Sequence, residues 1–496
     1  MPCERDYLKM LKSQAKGFTR IFFVVDALDE CLDDLETNTL DGFLGACREL
    51  PDNFRLLFTS RPVNRFKTLI EPGRELPIAA DDGDIKAYLG RFIESRPQLN
   101  GMVDKGCKAD PSFREKTLET ITDKSHGMFL LAHLHIQSLA STHSLVEFKS
   151  GLAQLSTSPD AVYATALDRI KKQDRPRRQL AMKALNWLVH AERQLSIEEL
   201  AHALAIHNGA EEPRPLTWHL PRASDMVGIE DALVSACVGI VVVLADADNR
   251  SIVRLTHGTA GVYIKKNQAF VFPNEDAMSP SLLTKTCLYC LTGLPVSAER
   301  SPEPRTDDIC REYPLFGYAA NFWGVHLDKE TGAKGELYKL AWRFVSDRPR
   351  LDAAVRAMTD PRVAHEANAS GVHIAAFFGL EKLVRKAIAN SRVIINLNAQ
   401  TRRGETPLHW AVTHGRRAFT EFLIREGAEL NVPNAEGRTA LHKAVMGGDD
   451  GALVDAILAA GSLNLELQDA EGYTCLRWAA RYGQLRTVEA LLGAGA

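Results

Sequence analysis

Three acids and one arginine stand just past two apolar runs, and their types suit phosphoryl chemistry. Ile-Phe-Phe-Val-Val over 21–25 reads as a buried parallel strand. It delivers Asp26 at its C-terminal end, with Asp29 and Glu30 just beyond. Phe-Arg-Leu-Leu-Phe over 54–58 reads as a second strand and runs into Thr59, Ser60, Arg61 and Pro62. In open α/β sheets ligands sit at that edge. A strand-end Asp can hold Mg²⁺, a further acid can orient the attacking water, and an Arg can meet the terminal phosphate. An acidic helix start placed after a strand to complement the helix dipole gives the same pattern without chemistry.

Other reactive side chains read as structural. Cys287 and Cys290 form the only close cysteine pair, with no second pair to complete a zinc site, so they read as reduced thiols on a helix. His133 and His135 lie two apart, do not share a helix face, and read as flanking residues rather than ligands. His257 follows a strand-like run in Val-Arg-Leu-Thr-His-Gly-Thr-Ala-Gly-Val-Tyr, where a hydrogen-bonded turn is the plain reading.

The elements that must position these groups change character along the chain. At the C-terminal end Gly404-Glu-Thr-Pro-Leu-His-Trp-Ala-Val-Thr-His-Gly415 recurs as Gly437-Arg-Thr-Ala-Leu-His-Lys-Ala-Val-Met-Gly-Gly448, 33 residues on. A third copy, Gly472-Tyr-Thr-Cys-Leu-Arg-Trp-Ala-Ala-Arg-Tyr-Gly483, follows at 35, and a weaker one with His373 precedes His409 by 36. Thr406 can cap a helix, and Pro407 sits at a first helical position where no N–H is needed. Leu408 and Ala411 fall three apart to face a neighbouring repeat. A second helix follows over 418–427, and Gly427 and Gly461 read as left-handed C-caps. The period and the Thr-Pro-Leu-His-x-Ala core resemble ankyrin repeats, which implies a solenoid of about four repeats over 365–496 that binds proteins. In that motif the histidines matching His409 and His442 hydrogen-bond neighbouring turns rather than metal. The terminal repeat offers few charges beyond Arg486 and Glu489, so the array reads as uncapped.

The N-terminal strings Val-Val-Asp-Ala-Leu-Asp-Glu-Cys and Leu-Phe-Thr-Ser-Arg-Pro resemble the Walker B and sensor 1 motifs of NACHT-type STAND NTPases, most nearly the fungal proteins with C-terminal ankyrin arrays. The resemblance implies that Asp26 serves Mg²⁺, that Asp29 and Glu30 serve hydrolysis, and that Arg61 contacts the γ-phosphate. It covers most of the chain. Asp84–Ile93 matches the helix after sensor 1, and Gly127-Met-Phe-Leu-Leu-Ala132 matches a stretch of the small helical domain. Leu180–His190, a capped helix from Ser196 with Glu199 at the capping-box spacing, and a hairpin of 238–244 with 251–256 resemble the family's winged helix. There His257 matches a histidine that can meet the β-phosphate, although Val262 stands where Glu is common. Residues 282–291 and 313–327 resemble a helical spacer.

The expected fold is therefore multidomain and mainly α. Its parts are the C-terminal half of a P-loop NTPase (NACHT) domain over 1–80, a small helical domain over 81–178, a winged helix over 179–270, a helical spacer over 271–364 and ankyrin repeats over 365–496. No Gly-x-x-x-x-Gly-Lys-Ser/Thr string occurs in the 496 residues, and only 20 residues precede Ile21 where a βαβ unit takes roughly 30. Without a P-loop the strand-end groups have no phosphate cradle to work against. The expectation is a STAND-derived signalling scaffold without NTPase activity or cofactor of its own. Two alternatives stand beside it. One is a nucleotide switch using Mg-ATP or Mg-GTP, completed by a P-loop upstream of a truncated start. The other is an ankyrin adaptor with a vestigial N-terminal region.

Composition narrows the classes further. Sixty basic against 63 acidic residues give a net charge of −3, which argues against a chain-wide nucleic-acid binder. No run reaches the ~18 apolar residues of a membrane helix. The N-terminus has no apolar signal core, and nine scattered cysteines do not form a disulfide framework, so the expected compartment is the cytoplasm. Protein partners are expected through the repeats, with a homo-oligomer left open.

Overall fold

The computed structural model describes residues 12–15, 17–26, 45–47, 49–60, 78, 80–140, 142, 144–208, 220–226, 228–246, 249–268, 280–295, 305–330, 335–364, 366–389, 395–447 and 451–496. The strand pair near the N-terminus lies in one compact unit. Residues 79–445 and 452–496 lie in another.

In the first unit β1 (Ile21–Val25) pairs in parallel with β2 (Phe54–Phe58), with Ile21 opposite Phe54 and Val25 opposite Phe58. Both strands fall where the apolar runs placed them. The expectation that they are buried does not hold. Phe22 is 74% and Val24 60% exposed, and Leu57 on β2 is also exposed. Successive strand residues face opposite sides, so alternate apolar residues of the pair form one open face.

The second unit opens with five helices around one core: α1 (Asp82–Glu94), α2 (Pro97–Ala109), α3 (Phe113–Ser125), α4 (Phe129–Ala140) and α5 (Leu145–Ala153). Asp81 caps α1 by accepting from Gly83 N at 2.7 Å. The four-residue spacing of Ile85, Leu89 and Ile93 puts all three in the core, each worth about 1.5–3 kcal/mol on full burial. Next come α6 (Pro159–Lys172) and α7 (Arg175–His190), the short β3 (Leu195–Ser196), α8 (Ile197–Asn208) and α9 (Ile229–Ala236). They are followed by β4 (Val241–Ala245), β5 (Ser251–Leu255) and α10 (Gly258–Lys266). β4, β5 and β3 make an antiparallel sheet in the order β3-β5-β4. The capping box at α8 forms as the spacing requires. Glu199 N donates to Ser196 Oγ at 3.2 Å, and Ser196 N donates to Glu199 Oε2 at 3.0 Å.

A helical layer continues with α11 (Pro280–Gly293), α12 (Thr306–Glu312), α13 (Leu315–Asp328), α14 (Gly335–Ser346), α15 (Arg348–Ala357) and the short α16 (Pro361–Ala364). Cys287 and Cys290 are free and buried within α11, as expected of plain thiols. The repeats then appear as four helix pairs. These are α17 (Gly371–Phe378) with α18 (Glu381–Ile388), α19 (Pro407–Thr413) with α20 (Arg417–Arg425), α21 (Ala440–Met446) with α22 (Ala452–Leu458), and α23 (Cys475–Arg481) with α24 (Leu485–Gly493).

The helical layer grips the first pair through one glycine. Trp323 on α13 packs edge-on against Phe378 on α17 with ring centroids 5.4 Å apart. A Cβ at the adjacent Gly324 would lie 2.3 Å from the Phe378 ring. Both residues are buried, so the ring has little room to retreat. Gly324→Ala is expected to destabilise the chain by about 1–3 kcal/mol, the usual range for overpacking. The check is a lower urea midpoint at unchanged m. An unchanged midpoint would show that the ring swings aside freely.

Candidate functional site

The repeats are built from the turn upward. In the third repeat Gly437 holds φ +72°, and a Cβ there would lie 2.9 Å from Ala470 N of the next loop. Only glycine meets both conditions without strain. The turn closes where Asn434 N donates to Arg438 O at 2.9 Å, and the equivalent bond in the fourth repeat, Asp469 N to Tyr473 O, is 3.0 Å. Successive loops are tied to each other by Arg402 N to Ala367 O (2.9 Å), Ala435 N to Arg403 O (2.7 Å) and Ala470 N to Glu436 O (2.8 Å).

The histidine after the turn in each of the first three repeats does two jobs. Thr406 N donates to His409 Nδ1 at 3.1 Å, so that nitrogen carries a lone pair and Nε2 carries the proton. Nε2–H then donates to Arg438 O of the next repeat at 2.9 Å. His373 repeats the pattern with Ser370 N (3.0 Å) and Glu405 O (2.9 Å). His442 does so with Thr439 N (3.2 Å) and Tyr473 O (3.2 Å). Burial pushes all three imidazoles below their ordinary pKa, His373 to about 4, in keeping with this neutral tautomer. Thr406 caps α19 and Pro407 opens it, as the sequence pattern requires. Gly427 and Gly461 are left-handed at φ +87° and +67°.

Ion pairs run along the loops beside this ladder. Lys443 Nζ lies 2.6 Å from Glu405 Oε1, and Arg403 meets the buried Glu366 at 3.1 Å. Arg438 bridges Asp469 (3.4 Å) and Glu471 (3.0 Å). Burial opposes the charge on Glu405, but the Lys443 ammonium outweighs it and holds that carboxyl below its usual range.

The fourth repeat departs from the others. Arg477 stands at the position of His409 and His442 and, like Arg481 one turn on, is exposed. The expectation of few charges on this repeat beyond Arg486 and Glu489 does not hold, since its first helix carries both arginines. The readable signal was the Leu-Arg in place of Leu-His, with a second arginine four residues later. The guanidiniums lie over aromatic rings, Arg477 at 3.8 Å and Arg481 at 5.6 Å from the Tyr473 centroid.

The residues singled out for phosphoryl chemistry are placed only in part. Asp26 sits exposed at the C-terminal end of β1, where Thr59 Oγ1 donates to Asp26 Oδ1 and Thr59 N donates to Val25 O at 2.9 Å. Asp29, Glu30 and Arg61 lie outside the described residues. His257 is in the other unit and caps α10. Its Nδ1 accepts from Thr259 N at 3.2 Å and meets Thr259 Oγ1 at 2.9 Å, which in turn meets the Tyr163 hydroxyl at 2.8 Å. That is the hydrogen-bonded turn of the plain reading. His133 contacts the Tyr88 hydroxyl, while His135 is buried and burial brings its pKa down to about 4. Among the described residues no group of three His, Cys, Asp or Glu side chains could hold a metal ion. Among them too, no helix is long and apolar enough to cross a membrane.

Comparison with known proteins gives two family matches. Ankyrin repeats match residues 350–434 and 418–496 in three copies. Nephrocystin 3, N-terminal, matches residues 2–61. Among curated relatives, human Rabankyrin-5 is 30% identical over 93 residues, 19% of this chain and 8% of its own length. Palmitoyltransferase AKR1 of Lachancea kluyveri is 30% identical over 128 residues, 25% of this chain and 17% of its own. A Caenorhabditis elegans homolog of transient receptor potential cation channel subfamily A member 1 is 34% identical over 100 residues, 20% of this chain and 8% of its own. The chain thus spans less than a fifth of the length of these relatives. With the histidine ladder and the family match over the same residues, the C-terminal part of the chain, residues 350–496, is an array of ankyrin repeats.

Proposed function

We propose that the chain is an interaction scaffold of the NACHT/STAND type, which holds partner proteins on its ankyrin repeats and has no NTPase activity of its own. The histidine-linked stack of loops carries this reading. It fixes the loop tips and first helices of four repeats in one register, so that side chains from several repeats can meet one partner. The family match over 2–61 and the parallel strand pair ending in Asp26 support descent from a nucleotide-binding domain. The β3-β5-β4 sheet with α7, α8 and α9 supports a winged helix ahead of the spacer.

The test compares proteins retained by the full chain with those retained by a chain ending at residue 360. Loss of the same partners on truncation is the expected result. Equal recovery without the repeats would overturn the scaffold reading.

A nucleotide-dependent switch is the second reading, favoured by Asp26 at the strand end with the Thr59 hydroxyl beside it. Asp26 would face Mg²⁺ and the bound nucleotide would supply the phosphates, with Asp29, Glu30 and Arg61 completing the set. Mg-ATP or Mg-GTP that alters the tryptic pattern of the chain, with the effect abolished by Asp26→Asn, would favour the switch over the scaffold.

A further inference from the structure

The fourth repeat carries two cations that meet no carboxylate among the described residues. Among the described residues, Lys443, Arg403 and Arg438 each meet a carboxylate. Arg477 and Arg481 meet none. Arg477 donates to Gly472 O (3.4 Å) and Arg481 to the Tyr473 hydroxyl (3.0 Å). They stand four apart on α23, where like charges on one helix face repel.

Aromatic rings hold both in place. Tyr473 and Trp478 pack with centroids 4.9 Å apart, and Trp478 and Tyr482 stack at 5.4 Å with planes 19° apart. Arg477 lies over Tyr473, and Arg481 reaches both Tyr473 and Trp478. The cluster extends into the preceding repeat, because Arg438 also lies over Trp478 at 5.7 Å. A guanidinium held against a ring through one Nη1–H bond keeps its other N–H groups for a planar anion and loses little further freedom on binding.

From this geometry we infer that Tyr473, Arg477, Arg481 and Tyr482 form a docking surface for an acidic peptide segment of a partner protein. The inference rests on the scaffold reading above and names the partner's chemistry. Side-chain carboxylates of the segment take the outward edges of Arg477 and Arg481 as bidentate pairs. Tyr482, 49% exposed, and Leu485, 72% exposed, offer apolar contact beside them. Charge selects the occupant, since two uncompensated guanidiniums favour an anionic chain. Trp478, 5% exposed, offers no open face on which a base could stack, and Tyr482 already stacks on it.

The probe is a fluorescein-labelled twelve-residue peptide of alternating glutamate and leucine, titrated into the full chain and followed by anisotropy. Binding is expected to weaken at least tenfold in the double variant R477Q/R481Q, to weaken with added salt, and to be absent for the alternating lysine–leucine peptide. R343Q, which alters an exposed arginine on α14, is expected to leave it unchanged. Circular dichroism and the urea midpoint confirm that the double variant is folded. Equal binding of the lysine peptide, unchanged binding by a folded R477Q/R481Q, or preferential binding of an oligothymidylate each overturns the inference. Partner retention separates the two readings. If the full chain retains partners and R477Q/R481Q retains them equally, the acidic-segment surface fails while the scaffold stands. If the full chain retains none, the scaffold reading fails.

Discussion

Replacing His409 by alanine is expected to lower the stability of the repeat array by about 3 kcal/mol. The imidazole is buried and bonded at both nitrogens. Its removal leaves the Thr406 N–H without its side-chain acceptor and Arg438 O without its inter-repeat donor, and opens a cavity between α19 and the next loop. Each buried polar group left unpaired costs about 1–3 kcal/mol. The Thr406 hydroxyl, which also meets His409 Nδ1 at 2.8 Å, loses a partner as well. In a stack where each repeat contacts only its neighbours, the damage concentrates at one interface. Hydrogen exchange is therefore expected to accelerate about a hundredfold for amides of the second and third repeats, the factor that about 3 kcal/mol implies. The core of α1–α5 is expected to keep its protection. Unchanged exchange across the second and third repeats would show that the histidine ladder does not carry the stacking.

That ladder was legible in the sequence because backbone geometry dictates it. A turn at φ above zero needs glycine, a helix start needs a capping hydroxyl, and Pro407 fits where no N–H is needed. These requirements are local, so they recur at a fixed spacing. The hairpin partner of Val241–Ala245 and the Ser196 capping box were legible for the same reason. The exposure of Phe22 and Val24 was not, because burial depends on what packs over a strand and not on the strand's own apolar run. The Arg477–Tyr473 stack was half legible. Its residues stand in plain sight at the third-copy positions, but a guanidinium over a ring is a contact between a loop and a helix, and spacing alone does not report it. For Asp26 the sequence supplied the strand end correctly, while its acid partners lie outside the described residues.

Acidification is expected to destabilise the helical unit and its repeats from about pH 6.5 downward, before most carboxylates protonate. Burial brings His135, His202, His326, His373 and His414 down to about 4. In the unfolded chain each titrates near 6.5. Between those values the unfolded state binds more protons than the folded one, so stability rises with pH there. The contribution is whole above pH 6.5 and is lost as pH falls toward 4. His326 shows why protonation is resisted. Its burial is the largest cause, and the Lys329 ammonium and His190 also oppose added charge. Glu192, 3.8 Å from Nδ1, favours it, but Lys329 at 2.8 Å already engages that carboxylate. Each such group removes up to about 1.4 kcal/mol per pH unit within the window. Five together can remove a typical domain's whole stability of about 5–15 kcal/mol before pH 4.5. Depressed carboxyls, among them Asp360 and Asp469, add losses only at lower pH, and the raised pKa values of Glu330 and Glu366 act in the opposite sense. The urea midpoint, followed by circular dichroism from pH 8 to 4.5, is therefore expected to stay level above about 7 and to fall steeply below 6.5. A midpoint that stays flat to pH 5 would mean that these imidazoles titrate in the folded chain much as they do in water, and that the neutral tautomer is not what holds the repeats in register.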